Sequence, residues 1–141
     1  MKDVNVGICG LGTVGGGTFN VLTRNAEIIA GRAGCNIRIA RVASRHSRDD
    51  LDLGNVPFST DIYDVVNDPS IDIVVELIGG YDAAKELVLA AIANGKHVAV
   101  FIVHRDGVGF KTDIFAIGEG RCGAPKGQDG HCKRQHKFKK K

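Results

Sequence analysis

Apolar residues along this chain fall into two repeating patterns, short unbroken runs and longer stretches with a spacing of three and four. After a lead of Met1–Asp3, Val4–Cys9 is a short apolar run that predicts a strand. From Thr13 to about Ala30, Val14, Thr18, Val21, Leu22, Ala26 and Ile29 recur at mostly three- and four-residue intervals, predicting one helix that Gly31 and Gly34 stop. Ile37–Ala43 is partly alternating and rich in Ile and Val, which predicts a second strand. Ser44–Asn55 is polar and loop-like. Thr60 is placed to cap a short helix with Ile62, Val65 and Val66 on its apolar face, ended by Pro69. Ile71–Ile78 is nearly continuous in apolar residues, as in a strand covered on both faces, and Gly79-Gly80 ends it.

A second long helical stretch follows. Asp82 is a candidate N-cap, Ala84, Leu87, Val88, Ala91 and Ile92 share one side, and Gly95 stands at the stop position. His97–Val103 predicts a fourth strand. Strands alternating with helices of this length predict an α/β fold, a Rossmann-like doubly wound parallel sheet with right-handed crossovers. Beyond Val103 the pattern breaks: Gly107 and Gly109 interrupt any regular element, and Asp113–Ile117 has room for one helical turn. From Gly118 onward there are Gly, Lys and polar residues around an isolated Phe138, too little apolar surface to offset the entropy of ordering. The expected organisation is a domain over residues 1–117 and a disordered basic tail over 118–141.

Charge sharpens that division. The net charge is +3, yet residues 121–141 hold eight Lys/Arg against the single acid Asp129, which leaves residues 1–120 net acidic. Apolar and charged fractions of 43% and 25% are those of an ordinary globular protein. No apolar run is long enough to span a bilayer, and no signal-peptide apolar region leads the chain, so the cytoplasm is the expected location and no membrane partner is expected. Cys9, Cys35, Cys122 and Cys132 contain no C-x-x-C pair, which argues against a disulfide framework. His131 and His136 have a zinc-type spacing, but the matching cysteine half is absent and no metal site is expected. The terminal lysines lack interleaved aromatics, so no specific nucleic-acid partner is expected either.

Chemistry concentrates at Gly10-Leu11-Gly12-Thr13-Val14-Gly15, a G-x-G-x-x-G run between the first strand and the first helix. In that setting Gly10 permits the tight turn, Gly12 lets bare backbone approach a pyrophosphate, and Gly15 lets the helix pack against the sheet. The anion would rest on unpaired amides at the helix's positive end. At the end of the second strand, where an acid would hold the ribose of NAD, the chain reads Ser44-Arg45-His46-Ser47-Arg48. Arg45 can fork onto a 2′-phosphate and Ser44 can add a hydroxyl donor, which favours NADP, with NAD as the second cofactor. The alternative reading makes Arg45 and Arg48 solvated loop charges. Ile78, Gly79 and Gly80 end a later strand at the same side of the sheet, where small residues would admit the nicotinamide half; a turn that merely needs glycine is the other reading. Glu76 is assigned no chemistry.

Gly7–Thr18, Val42–Arg45, Glu76–Gly80 and Asn94–Val98 together resemble the nucleotide-binding half of homoserine dehydrogenase, in one register over residues 1–100. The resemblance implies an NAD(P)-dependent oxidoreductase interconverting L-homoserine and L-aspartate 4-semialdehyde, in threonine and methionine biosynthesis. It also implies that Thr13 and Val14 lie against the cofactor and that Arg45 takes the 2′-phosphate. The family's Thr/Ser-Ala-Asn-Lys motif after the Gly-Lys-His-Val strand is replaced here by Ala99–His104, and Thr112–Ala116 resembles the family's next helix before the likeness ends. A likeness lost, regained and lost again is what local reading-frame changes produce. The substrate domain is expected to be missing, so no catalytic residue is assigned, the chain alone is expected to be inactive, and the family's homo-oligomer is not expected to be retained. A stand-alone NADP-sensing module and a non-functional remnant are the alternatives.

Overall fold

A computed structural model of the chain describes residues 2–105 and 110–117, with side chains as far as Phe101. The elements in chain order are β1 (Asp3–Cys9), α1 (Thr13–Arg24), α2 (Ala26–Ala33), β2 (Asn36–Ala43), β3 (Phe58–Ser59), α3 (Tyr63–Val66), β4 (Ile73–Glu76), α4 (Tyr81–Ala93), β5 (His97–Arg105) and β6 (Phe110–Ile117). They build one sheet in the order β3-β2-β1-β4-β5-β6. Its first five strands are parallel, as the alternation of strand and helix requires, and this is the Rossmann-like arrangement.

Period-two alternation sends successive side chains to opposite faces, and each face has its own core. Val6 and Ile8 of β1 join Leu11, Phe19, Val42 and Leu51 under α1. Cys9, Ala43 and Val74 join Val65, Val66, Leu87, Ala91 and Val98 under α3 and α4. Gly7 is what allows α3 to close on β1, since a Cβ there would lie 2.3 Å from a Val65 methyl.

Several expectations about elements are corrected. The helix from Thr13 to Ala30 is two helices broken at Asn25, whose φ −109° and ψ 20° leave the helical region. Its buried residues are Gly15, Gly16 and Phe19; of the predicted stripe Leu22 packs against the core, while Val14 and Val21 are exposed. Gly34, at φ +69°, is the residue that ends α2; the helix runs through Gly31. The short helix starts behind Asp61, whose carboxylate accepts the Tyr63 N–H at 2.9 Å, and Thr60 does not cap it.

A further correction concerns Asp113–Ile117, expected as a helical turn. These residues belong to β6, which runs antiparallel to β5 with Arg105 opposite Phe110 and Val98 opposite Ile117. Phe110, Thr112, Ile114, Phe115 and Ile117 favour the extended form, and the free edge of β5 offers a ladder to complete. The proposed basic tail, 118–141, lies outside the described residues.

Candidate functional site

The sheet order reverses between β1 and β4, and in such sheets ligands bind in the crevice past the strands' carboxyl ends at that point. A cavity of about 230 Å³ lies there, lined by Gly10, Leu11 and Gly12 after β1, Ser44, Arg45 and His46 after β2, and Leu77, Ile78 and Gly79 after β4. Three sequence segments, far apart along the chain, are thereby joined at one place.

The turn after β1 is fixed by its neighbours. The Gly10 N–H donates to Ala43 O at 2.7 Å, and the Leu77 N–H donates to Cys9 O at 2.8 Å. Gly10 has φ +102°, and a Cβ there would lie 2.4 Å from Leu77 O. A Cβ on Gly15 would lie 1.9 Å from Gly10 O, so only hydrogen at Gly15 lets α1 start this close to the turn. At Gly12, the N-cap, a methyl group would find nothing within 4 Å, and no side chain caps the helix. The amides of Thr13, Val14 and Gly15 in the first turn consequently lack intrahelical partners. This is a fit to a pyrophosphate: bare backbone, open space and three donors at a positive helix end.

Of the predicted residues, Gly10, Gly12, Ser44, Arg45, Ile78 and Gly79 line the cavity. Thr13 and Val14 are exposed in the first turn of α1 beside it, Gly15 is buried beneath the turn, and Gly80 is the N-cap of α4 at φ +86°. Ser44 Oγ accepts the Leu11 N–H at 3.3 Å, which leaves its own hydrogen to donate.

The two arginines part company. Arg45 is exposed and has no ion pair among the described residues. Arg48 is committed: it pairs with Asp50, and its Nη1 donates to Gly12 O at 3.1 Å. Hydrogen bonding to the Asp50 carboxylate pushes the Arg48 pKa up and holds that of Asp50 below its ordinary value. No acid stands among the residues lining the cavity.

Beneath the floor, Glu76 is 4% exposed and its Oε1 accepts the Ile78 N–H at 2.8 Å, so it shapes the turn after β4. Cys9 is its register partner across the β1–β4 ladder. Burial, with the nearby Glu76 charge second, pushes the Cys9 thiol up to about 12, which makes it an inert core residue. Sequence reasoning does not pick out His46, Leu11, Leu77 or the role of Arg48; the Arg48-x-Asp50 spacing is the one available signal for the last. Among the described residues no cluster of three or more His, Cys, Asp or Glu could hold a metal.

Comparison with known proteins identifies the site's lineage. A family profile described as the NAD-binding domain of homoserine dehydrogenase matches residues 10–104. Homoserine dehydrogenase of Pseudomonas aeruginosa is 64% identical over 98 residues, covering 70% of this chain and 23% of the relative; that of Methylobacillus glycogenes is 58% identical over 104 residues, covering 70% and 24%. The crystal structure of homoserine dehydrogenase from Thiobacillus denitrificans superimposes with a TM-score of 0.62 at 55% identity, over 71% of this chain and 23% of the other. The matched stretch therefore spans about a quarter of these relatives' length. The S. aureus enzyme gives a TM-score of 0.64 at 31% identity, over 71% and 26%. With its glycine turn, its crevice and two-thirds of its length inside that family profile, the chain belongs to the homoserine dehydrogenase family and carries its NAD-binding domain.

Proposed function

We propose that this chain binds NADP in preference to NAD, as the nucleotide-binding part of a homoserine dehydrogenase, and that by itself it binds cofactor without turning over substrate. In the family reaction the nicotinamide supplies or accepts the hydride exchanged between L-homoserine and L-aspartate 4-semialdehyde. Within this chain the assigned roles are binding and orientation. Gly10, Gly12 and the amides of Thr13, Val14 and Gly15 receive the pyrophosphate. Ser44 and Arg45 receive the 2′-phosphate, and Ile78, Gly79 and Gly80 leave room for the nicotinamide half.

One observation carries the NADP preference: Arg45 borders the crevice without an ion pair among the described residues, while the lining holds no carboxylate to repel a phosphate. No residue of the chain is assigned to proton transfer or to stabilising a developing oxyanion, which is why turnover is not expected of it alone. The binding domain is assigned to residues 1–117 and the basic tail to 118–141. A cytoplasmic location belongs to the same reading; among the described residues Cys9 and Cys35 form no disulfide, and no helix is long and apolar enough to cross a membrane. No nucleic-acid partner and no retained family oligomer are assigned.

Calorimetric titration of the 141-residue chain with NADP and NAD tests this. Arg45→Ala removes a charge-assisted contact worth about 1.5–3 kcal/mol, so it should weaken NADP roughly 10- to 150-fold and leave NAD within about twofold. Equal weakening of both cofactors, or of neither, overturns the phosphate assignment.

A further inference from the structure

We infer that Arg48, oriented by Asp50, is a positioning residue that holds the glycine turn in its pyrophosphate-receiving conformation; this rests on the dinucleotide reading above. Arg48 Nη1 donates to Gly12 O at 3.1 Å and lies 3.5 Å from Leu11 O, both acceptors more than thirty positions away in sequence. The opposite edge of the guanidinium forks onto Asp50, with Nε to Oδ1 at 2.9 Å and Nη2 to Oδ2. The arm that carries it is anchored, because Leu51 is buried in the core beside Phe19 and its N–H donates to Arg48 O at 3.2 Å. Gly16 leaves room for this approach, since a Cβ there would lie 2.8 Å from Nη1.

Peptide planarity turns these contacts into control of the site. The Gly12 carbonyl shares one rigid plane with the Thr13 N–H, and the Leu11 carbonyl shares one with the Gly12 N–H. Fixing the two oxygens from outside fixes the two N–H directions on the other side. Ser44 tethers the same turn through the Leu11 N–H, so the loop after β2 grips it at two points. A glycine-containing turn loses much entropy on being ordered, and a preordered one spares that loss when ligand binds. Arg48 thus acts on both cofactors alike, whereas Arg45 acts on the phosphate that distinguishes them.

The test uses the full chain with Arg48→Ala, Arg48→Lys and Asp50→Asn. Calorimetry should show NAD and NADP weakened by the same factor, about five- to tenfold in Arg48→Ala, with their affinity ratio unchanged. Asp50→Asn should move both in the same direction by less, and Arg48→Lys should recover part of the loss. Nitrogen-relaxation order parameters of the ligand-free protein should drop at Gly12 and Thr13 in Arg48→Ala and stay level at Ile78, whose N–H is held by Glu76. Unchanged NAD affinity overturns the proposal, as does a loss confined to NADP, which would make Arg48 a direct phosphate contact. Order parameters falling at Ile78 as much as at Gly12 would reduce Arg48 to a general stabiliser. If the wild-type chain binds neither cofactor, the dinucleotide reading fails, and the relaxation data still decide whether Arg48 orders the turn. Should Arg48→Ala not fold, Asp50→Asn carries the same comparisons.

Discussion

A methyl group at Gly15 would stand 1.9 Å from the Gly10 carbonyl oxygen, whereas one at Gly12 would touch nothing. The same substitution at the two positions should therefore separate folding from binding. Gly15→Ala forces backbone apart at the start of α1 and should cost at least ~2 kcal/mol of stability. Gly12→Ala keeps an ordinary φ of −63° and should cost under ~1 kcal/mol, yet place its methyl where the pyrophosphate must approach. Thermal unfolding and cofactor titration on both variants check this: Gly12→Ala is expected to melt near wild type and fail to bind. The motif spacing announced these glycines. It could not announce Arg48, because what a guanidinium donates to depends on a loop path and not on its neighbours in sequence.

At the scale of elements, the entry to β4 is held by a polar knot that no local pattern revealed. Lys96, 6% exposed, donates from Nζ to Ile71 O at 2.8 Å and to Asp68 O. Asn5 Nδ2 donates to Ser70 O at 2.9 Å, and Arg41 Nε donates to Asp68 Oδ2 at 3.2 Å. Lys96→Met would strand the buried Ile71 carbonyl, whereas Asp68 O keeps the Ile71 N–H at 3.2 Å, and should destabilise the protein by about 1–3 kcal/mol, measured by urea unfolding. Asp68 adds a pH dependence. Hydrogen bonds from Ser70, with Arg41 assisting, hold its carboxyl below the ordinary range. A carboxylate with a lowered folded-state pKa stabilises above its unfolded value of about 3.9 and loses that contribution as pH falls through the folded value. Asp68→Asn should consequently be less stable than wild type at neutral pH, the gap closing only below about pH 4. The types of β1, β2, β4, β5, α1 and α4 were legible because their apolar residues fall either in short runs, as in a sheet covered on both faces, or at helical spacing. Boundaries set by single polar contacts, such as Asp61 ahead of α3 and Asn25 between α1 and α2, were not, and neither was β3, two residues long and paired only to β2. β6 was hidden for a related reason: a strand that completes an edge takes its form from the partner it joins.

For the molecule as a whole, the parallel strands β1 to β5 bring together every segment of the candidate site, and all of its assigned residues precede β5. Cofactor binding is thus expected to reside in residues 1–117, with the basic segment 118–141 contributing no contact that distinguishes one dinucleotide from another. Deleting residues 118–141 should leave the NADP-to-NAD affinity ratio unchanged and alter absolute affinities less than about twofold at roughly 150 mM salt, where ions screen charges beyond about 8 Å. At low salt a cationic segment raises the local concentration of any polyanion, so the full chain should gain affinity for both dinucleotides, more for NADP with its extra phosphate charge, while the shortened chain gains less. A deletion that shifts the ratio at roughly 150 mM salt, where unspecific attraction is screened, would place tail lysines at the 2′-phosphate and displace Arg45 from that role. The same two chains, mixed with NADPH and aspartate semialdehyde, should show no oxidation of the nicotinamide by its near-ultraviolet absorbance, since the groups that would orient the carbonyl and complete its electrostatic surroundings are assigned to no residue present.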